Sequence, residues 1–163
     1  MDKTQAAPAV AFPKAVARDA GALALASKRA FDNDLNYGAL GPGGPQGYDS
    51  AAWQKGMMRR ADYYKIVLEG EIAGGIIVFR TGVRQYELGR IFVLPEHQNK
   101  GIGTRAMGFL WDAYPLAKRW TLGTPAWNQR TRHFYSKVGF SEVGRDRHGG
   151  ILFERRIAAT SPL

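Results

Sequence analysis

Between Tyr86 and Ala106 the chain reads YELGRIFVLPEHQNKGIGTRA. An apolar strand pattern, Tyr86 to Val93, passes into a short loop opened by Pro95, and Gln98-Asn99-Lys100-Gly101-Ile102-Gly103-Thr104 then leads into a helix. That order suits phosphate. The first turn of a helix carries N–H groups without intrahelical partners and a partial positive charge, and glycines let an anion approach the backbone. A second group lies downstream in NQRTRHFYSKVGF, where Asn128 stands seven residues ahead of Tyr135. Asparagine caps helices well, and a tyrosine hydroxyl can donate a proton.

Two other glycine chemistries compete for the same loop. Gly101 to Ala106 also satisfies G-x-G-x-x-G/A, the dinucleotide fingerprint, which should follow its strand at once in the first βα unit and meet an acid about twenty residues later. Here Leu94 to Lys100 intervene, three strand-like segments come earlier, and the acid position falls in Trp120-Thr121-Leu122-Gly123, which has no carboxylate. A lysine-bearing phosphate loop is absent, since no Gly-Lys-Ser/Thr occurs. A glycine turn without a ligand remains compatible with the loop taken alone. Elsewhere, His97, His133 and His148 lack metal-ligand spacing, so no metal site is expected.

The bulk numbers narrow the class. At 163 residues the chain suits one domain able to bury roughly 70% of its unfolded surface. Zero cysteines remove disulfides, thiolate catalysis and zinc–cysteine sites. Met1-Asp2-Lys3-Thr4-Gln5 is polar and no apolar run reaches spanning length, so a soluble cytoplasmic protein without a membrane partner is expected. The net charge of +9 would draw a polyanionic ligand. Lys100, Arg105, Arg130, Arg132 and Lys137 lie in or beyond the glycine loop, though a solvated basic surface accounts for most of them. No basic-aromatic pattern marks a nucleic-acid binder.

The elements that must position these residues read in order. Ala9 to Val16 is a short edge strand broken by Pro13; Asp19 to Phe31 and Ser50 to Arg60 are helices flanking the Gly/Pro-rich loop Gly38 to Gly47. Tyr64 to Leu68, Ile72 to Phe79 and Tyr86 to Val93 form three antiparallel strands with turns at Glu69-Gly70-Glu71 and Thr81 to Gln85. The helix after the glycine loop has Met107, Leu110, Trp111 and Tyr114 on one face. Arg119 to Thr124 is a strand, and Asn128 opens a helix with Thr131, Phe134, Tyr135 and Val138 at helical spacing, stopped by Gly139. Phe140 to Val143 and Ile151 to Phe153 close as a hairpin, followed by a tail, Ile157 to Leu163. Gly89 inside its strand marks a bulge or a close backbone approach.

Three features together resemble the GNAT superfamily of acetyl-CoA-dependent N-acetyltransferases. They are Gln98-x-x-Gly101-x-Gly103 after a strand, Asn128 with Phe134-Tyr135 and Gly139-Phe140, and a separation that leaves room for one helix and one strand. The element order is similar to that fold over nearly the whole chain. The resemblance implies a mixed, mostly antiparallel sheet of about seven strands with helices on both faces, as a single domain over residues 1–163. It implies acetyl-CoA as co-substrate, with Gln98, Asn99, Lys100, Gly101, Ile102, Gly103 and Thr104 at its pyrophosphate. Ile91, Phe92, Val93 and Asn128 would lie along its pantetheine arm. A backbone N–H near Phe92 or Val93 would face the oxyanion, and Tyr135 takes the position of the general acid.

The chemistry of transfer to an amine makes further demands. An alkyl ammonium is only about 0.1% neutral at pH 7, a cost of about 4 kcal/mol, and a carboxylate would collect its proton. Glu87, on the strand before the loop, occupies the position of the base in the family's histone acetyltransferases; an exposed strand carboxylate is the equal alternative. Tyr135 would protonate the leaving thiolate uphill by about 2 kcal/mol, while periodicity alone makes it one more residue of an apolar stripe. The acceptor is expected to be a primary amine of a small molecule, or a peptide or protein amine. It would sit between the first helix, the Gly/Pro loop and the strand around Glu87, where Asp32, Asp34 and Asp49 could hold a cation and Tyr37 or Trp53 could line the pocket. The protein would be a monomer or homodimer. A catalytically inactive acyl-CoA-binding sensor is the alternative.

Overall fold

The computed structural model describes residues 9–158; the polar start Met1–Gln5 and the last part of the tail, residues 159–163, lie outside them. Seven strands form one sheet: β1 (Val10–Ala11), β2 (Asp62–Leu68), β3 (Glu71–Gly82), β4 (Gln85–Val93), β5 (Arg119–Thr124), β6 (Ser141–Arg145) and β7 (Ile151–Arg156). Their spatial order is β1-β2-β3-β4-β5-β7-β6. Every neighbouring pair is antiparallel except β4 with β5. The mixed sheet with helices on both faces is the architecture expected from the sequence.

Turn chemistry sets the hairpins. Glu69 and Gly70 both have positive φ, as a two-residue turn with the twist of its strands requires. The next turn is tighter than its composition implies. Pairing of β3 with β4 continues to Gly82 and Gln85, so only Val83 and Arg84 form the turn, not Thr81 to Gln85. The first strand is shorter than expected. Only Val10 and Ala11 pair with β2, because Pro13 has no N–H to give, and Lys14 returns as an isolated bridge to Tyr64. Phe140 precedes β6 instead of starting it, buried against Trp111 and Tyr135.

Four helices cover the sheet: α1 (Ala20–Asp32), α2 (Ala51–Arg60), α3 (Ile102–Ala113) and α4 (Gln129–Lys137). Ser50 caps α2 by accepting the Trp53 N–H at 3.1 Å. Leu23, Ala26 and Ala30 of α1 pack on Tyr63, Ile77 and Phe92 on one face. Met107 and Leu110 of α3 and Tyr135 of α4 pack on Ile66, Ile76, Leu88 and Trp120 on the other.

Two irregularities of β4 shape everything that follows. Ile77 pairs with Arg90 but Val78 pairs with Leu88, so Gly89 is an extra residue, a bulge. A Cβ there would lie 2.4 Å from the Phe79 ring. The bulge reverses which residues face which layer. Leu88 points into the α3 side, whereas Phe92, four residues on, points into the α1 side. The second irregularity is the brevity of the parallel pair. β4 meets β5 only at Gln85, Tyr86 and Glu87, opposite Arg119, Trp120 and Thr121. Beyond Glu87 the two strands have no register, and the β4 edge from Leu88 to Val93 is open on that side.

Candidate active site

A cavity of about 870 Å³ occupies the gap where β4 leaves β5. One wall is β4 from Gly89 to Val93, the other is Gly123 and Thr124 of β5 with Asn128, Thr131 and Tyr135. The glycine loop closes one end, and Ala39, Gly41, Gly43, Gly44 and Pro45 of the Gly/Pro segment cover another.

At the loop the backbone turns sharply into a helix start that no side chain caps. Asn99 and Gly101 have φ of 60° and 79°, which turns the chain sharply into α3. No side chain caps α3. Its first-turn N–H groups therefore remain available at the cavity, which Gly101, Ile102, Gly103 and Thr104 line. Gly103 also lets α3 approach α4, since a Cβ there would lie 3.0 Å from the Phe134 ring. Gln98 ties the loop to the strand by donating to the Val93 carbonyl at 2.9 Å.

Along the strand the polar backbone alternates. The Leu94 N–H donates to Ala73 on β3 at 2.8 Å. The N–H of Val93, and that of Ile91 two residues earlier, therefore face the gap. The Val93 carbonyl faces the same way, where Gln98 finds it.

Tyr135 sits at the far wall. Its ring packs against Phe134, Phe140 and Phe153. Its hydroxyl has no hydrogen-bond partner among the described residues, and burial pushes its pKa up from the ordinary value. The apolar-stripe role and an acid role are thus compatible in one residue. Asn128 is buried and accepts the Thr131 N–H through Oδ1 at 3.1 Å, the cap expected from the sequence.

Arg130, in the first turn of α4, spans the cavity mouth. It pairs with Asp34 at 3.0 Å, donates to Gln98 Oε1 and stacks over Tyr37 at 4.0 Å. Burial raises the Asp34 pKa and Arg130 opposes the rise.

Most residues singled out in the sequence line this cavity: Ile91, Phe92, Val93, Gln98, Asn99, Gly101, Ile102, Gly103, Thr104, Asn128 and Tyr135. Lys100 is exposed and does not line it. Glu87 is half-buried on the closed part of the β4–β5 pair, outside the lining. The three acids considered for a cationic acceptor do not converge. Asp32 is held by Lys28 and by the Tyr48 hydroxyl, Asp34 by Arg130, and Asp49 is exposed away from the lining. Arg90 lines the cavity with no warning in the sequence beyond the glycine that precedes it.

Known proteins are similar to this chain in sequence or in fold. The chain is 32% identical over 82 residues to the uncharacterized protein YrkN of Bacillus subtilis (strain 168), a match spanning 49% of this chain and 44% of that one. The PaiA N-acetyltransferase of Thermoplasma acidophilum, solved in complex with coenzyme A, superposes with a TM-score of 0.75 at 16% identity over 91% of this chain and 99% of its own. An acetyltransferase of Thermus thermophilus superposes with a TM-score of 0.78 at 15% identity, covering 93% and 99%. The ribosomal-protein-S18-alanine N-acetyltransferase of Escherichia coli gives 0.67 at 16% identity, covering 94% and 97%. The sequence model of the acetyltransferase (GNAT) family matches residues 36–140, well over half of the chain and all of the cavity's glycine loop, β4 edge and Tyr135. The chain belongs to the GNAT acetyltransferase family.

Proposed function

We propose that the protein transfers an acetyl group from acetyl-CoA directly to a primary amine, within a single catalytic domain. One observation carries this reading: a single cavity joins an uncapped helix start, an open strand edge and an unpartnered tyrosine hydroxyl. The coenzyme A bound to the Thermoplasma protein supports an acyl-CoA donor.

In this reading the pyrophosphate lies on the N–H groups of the glycine loop, with Arg130 exchanging Asp34 for phosphate. The pantetheine arm takes up the open edge of β4 as an added strand would. The neutral amine attacks the thioester carbonyl carbon, forming the C–N bond and an oxyanion that the Val93 N–H stabilises. Collapse breaks the C–S bond, and Tyr135 gives its proton to the departing thiolate and takes one back from water after product release. The dry site raises thiol and phenol together, so the transfer stays close to balanced. The ammonium proton leaves through water, with Glu87 as its collector at the closed end of the strand pair. Glu87→Gln is expected to lower kcat/KM about tenfold near neutral pH. An unchanged pH–rate profile in that variant would assign the proton to bulk water instead.

Acetyl-CoA at a hundred times its Kd should stabilise the fold by about 2.7 kcal/mol, a rise in Tm of roughly 5–11 °C. Thiol release from acetyl-CoA across a panel of amines tests the transfer itself. No thermal shift overturns the reading; a shift without transfer to any amine favours a sensor that keeps the site and lacks the reaction.

A further inference from the structure

Arg90 is the first residue after the Gly89 bulge, and the bulge is what turns its side chain toward the α1–α2 side of the sheet. There its guanidinium stacks on Trp53 of α2, 3.8 Å from the ring centroid. Nη2 donates to the Gln46 carbonyl at 2.5 Å, which holds the Gly/Pro segment over the cavity. Nη1 is buried and has no hydrogen-bond partner among the described residues. No carboxylate pairs with Arg90 among the described residues. Burial lowers its pKa to about 10, which leaves it charged at neutral pH.

A half-buried guanidinium with one shielded, idle nitrogen and no counter-charge among the described residues is costly, and a carboxylate is the group that matches its two-pronged geometry. The rest of the cavity adds to the argument. Among the described residues its one lining carboxylate is Asp34, already paired with Arg130, so the charge left over on the acceptor side is positive. A polycationic amine would meet repulsion there.

We propose that the acceptor is an amine that carries a carboxylate, an α-amino acid or a close analogue, and that Arg90 binds this carboxylate and so presents the amine to the open edge of β4. The inference rests on the acyl-CoA reading of the cavity. The carboxylate takes the place of the Gln46 carbonyl on the guanidinium, and the Gly/Pro segment shifts to admit it. A charged acceptor replaces a neutral one, so the exchange is favourable.

The test uses matched pairs: α-amino acids against the same amines without the carboxylate, assayed by thiol release from acetyl-CoA with wild type and Arg90→Met. In wild type the carboxylate member should have a KM at least tenfold lower. Arg90→Met should raise that KM more than tenfold relative to its effect on the decarboxylated amine, because a site built for a hydrogen-bonded group discriminates strongly against its absence. Arg90→Lys, which keeps the charge and loses the fork, should fall between the two. Should Arg90→Met fold poorly, the wild-type pairs and the lysine variant decide the matter. Preference for the decarboxylated or polycationic amine, or an equal effect of the variant on both members, overturns the assignment. So does a preference for succinyl-CoA over acetyl-CoA that Arg90→Met abolishes, which would put the carboxylate on the donor. With a clear acetyl-CoA thermal shift those outcomes sink only the acceptor assignment; with neither shift nor transfer, the reading of the cavity fails as well.

Discussion

Tyr135→Phe is expected to lower kcat about a hundredfold while leaving the acetyl-CoA thermal shift intact, the signature of losing a general acid without losing the site. The substitution removes one oxygen. The ring keeps its contacts with Phe134, Phe140 and Phe153, and the lost hydroxyl has no partner to orphan among the described residues. Stability should therefore hold within about 0.5 kcal/mol. The pH dependence has a definite sign. Burial raises the tyrosine pKa above its ordinary value of about 10, so the acid form persists through the alkaline range, and wild-type kcat should not fall on this group's account between about pH 7 and 9. A kcat in the variant within about twofold of wild type would assign thiolate protonation to water and return Tyr135 to its packing role alone.

The largest expected loss of stability comes from one methyl group. Gly74 lies in β3 opposite Val93, and a Cβ there would stand 2.0 Å from the Phe92 carbonyl oxygen and 3.0 Å from its carbon. These are backbone atoms, so no rotamer relieves the clash, and β4 must move. Gly74→Ala should cost about 3 kcal/mol, or roughly 6–12 °C of Tm. The strand it displaces carries the Val93 N–H and the open edge, so acetyl-CoA should also stabilise the variant less than wild type. Gly108→Ala is the control. It lies on the exposed side of α3 with nothing within 4 Å of its Cβ, and alanine there should add up to about 1 kcal/mol. If Gly74→Ala melts within about 2 °C of wild type, the close approach of β3 to β4 is looser than described and the edge is not under this constraint.

Much of this was legible in local patterns. The 3.6-residue stripes of Met107, Leu110 and Tyr114 and of Thr131, Phe134, Tyr135 and Val138 name their helices because burial on one face leaves a period in the sequence. Glu69-Gly70 and the Asn128 cap are local chemistry and appear where local chemistry puts them. Gly101 and Gly103 announce a tight turn into a closely packed helix because only small residues tolerate that turn and that approach. The errors share a cause. The limits of the first strand and of the turn after β3 depend on pairing partners distant in sequence, which composition does not report.

By itself the sequence determined the order of the elements, the glycine loop at the start of α3, and the placing of Asn128 and Tyr135 on one later helix, since each depends on neighbours within a few turns. Only the tertiary structure decided what faces what. The early parting of β4 from β5 opens the cavity, and no residue of either strand encodes it alone. The Gly89 bulge then inserts one residue into a period of two, so every side chain after it changes face. That single register step keeps Phe92 in the α1 core, brings Arg90 against Trp53 beside the cavity, and sets the Val93 N–H toward the gap between β4 and β5.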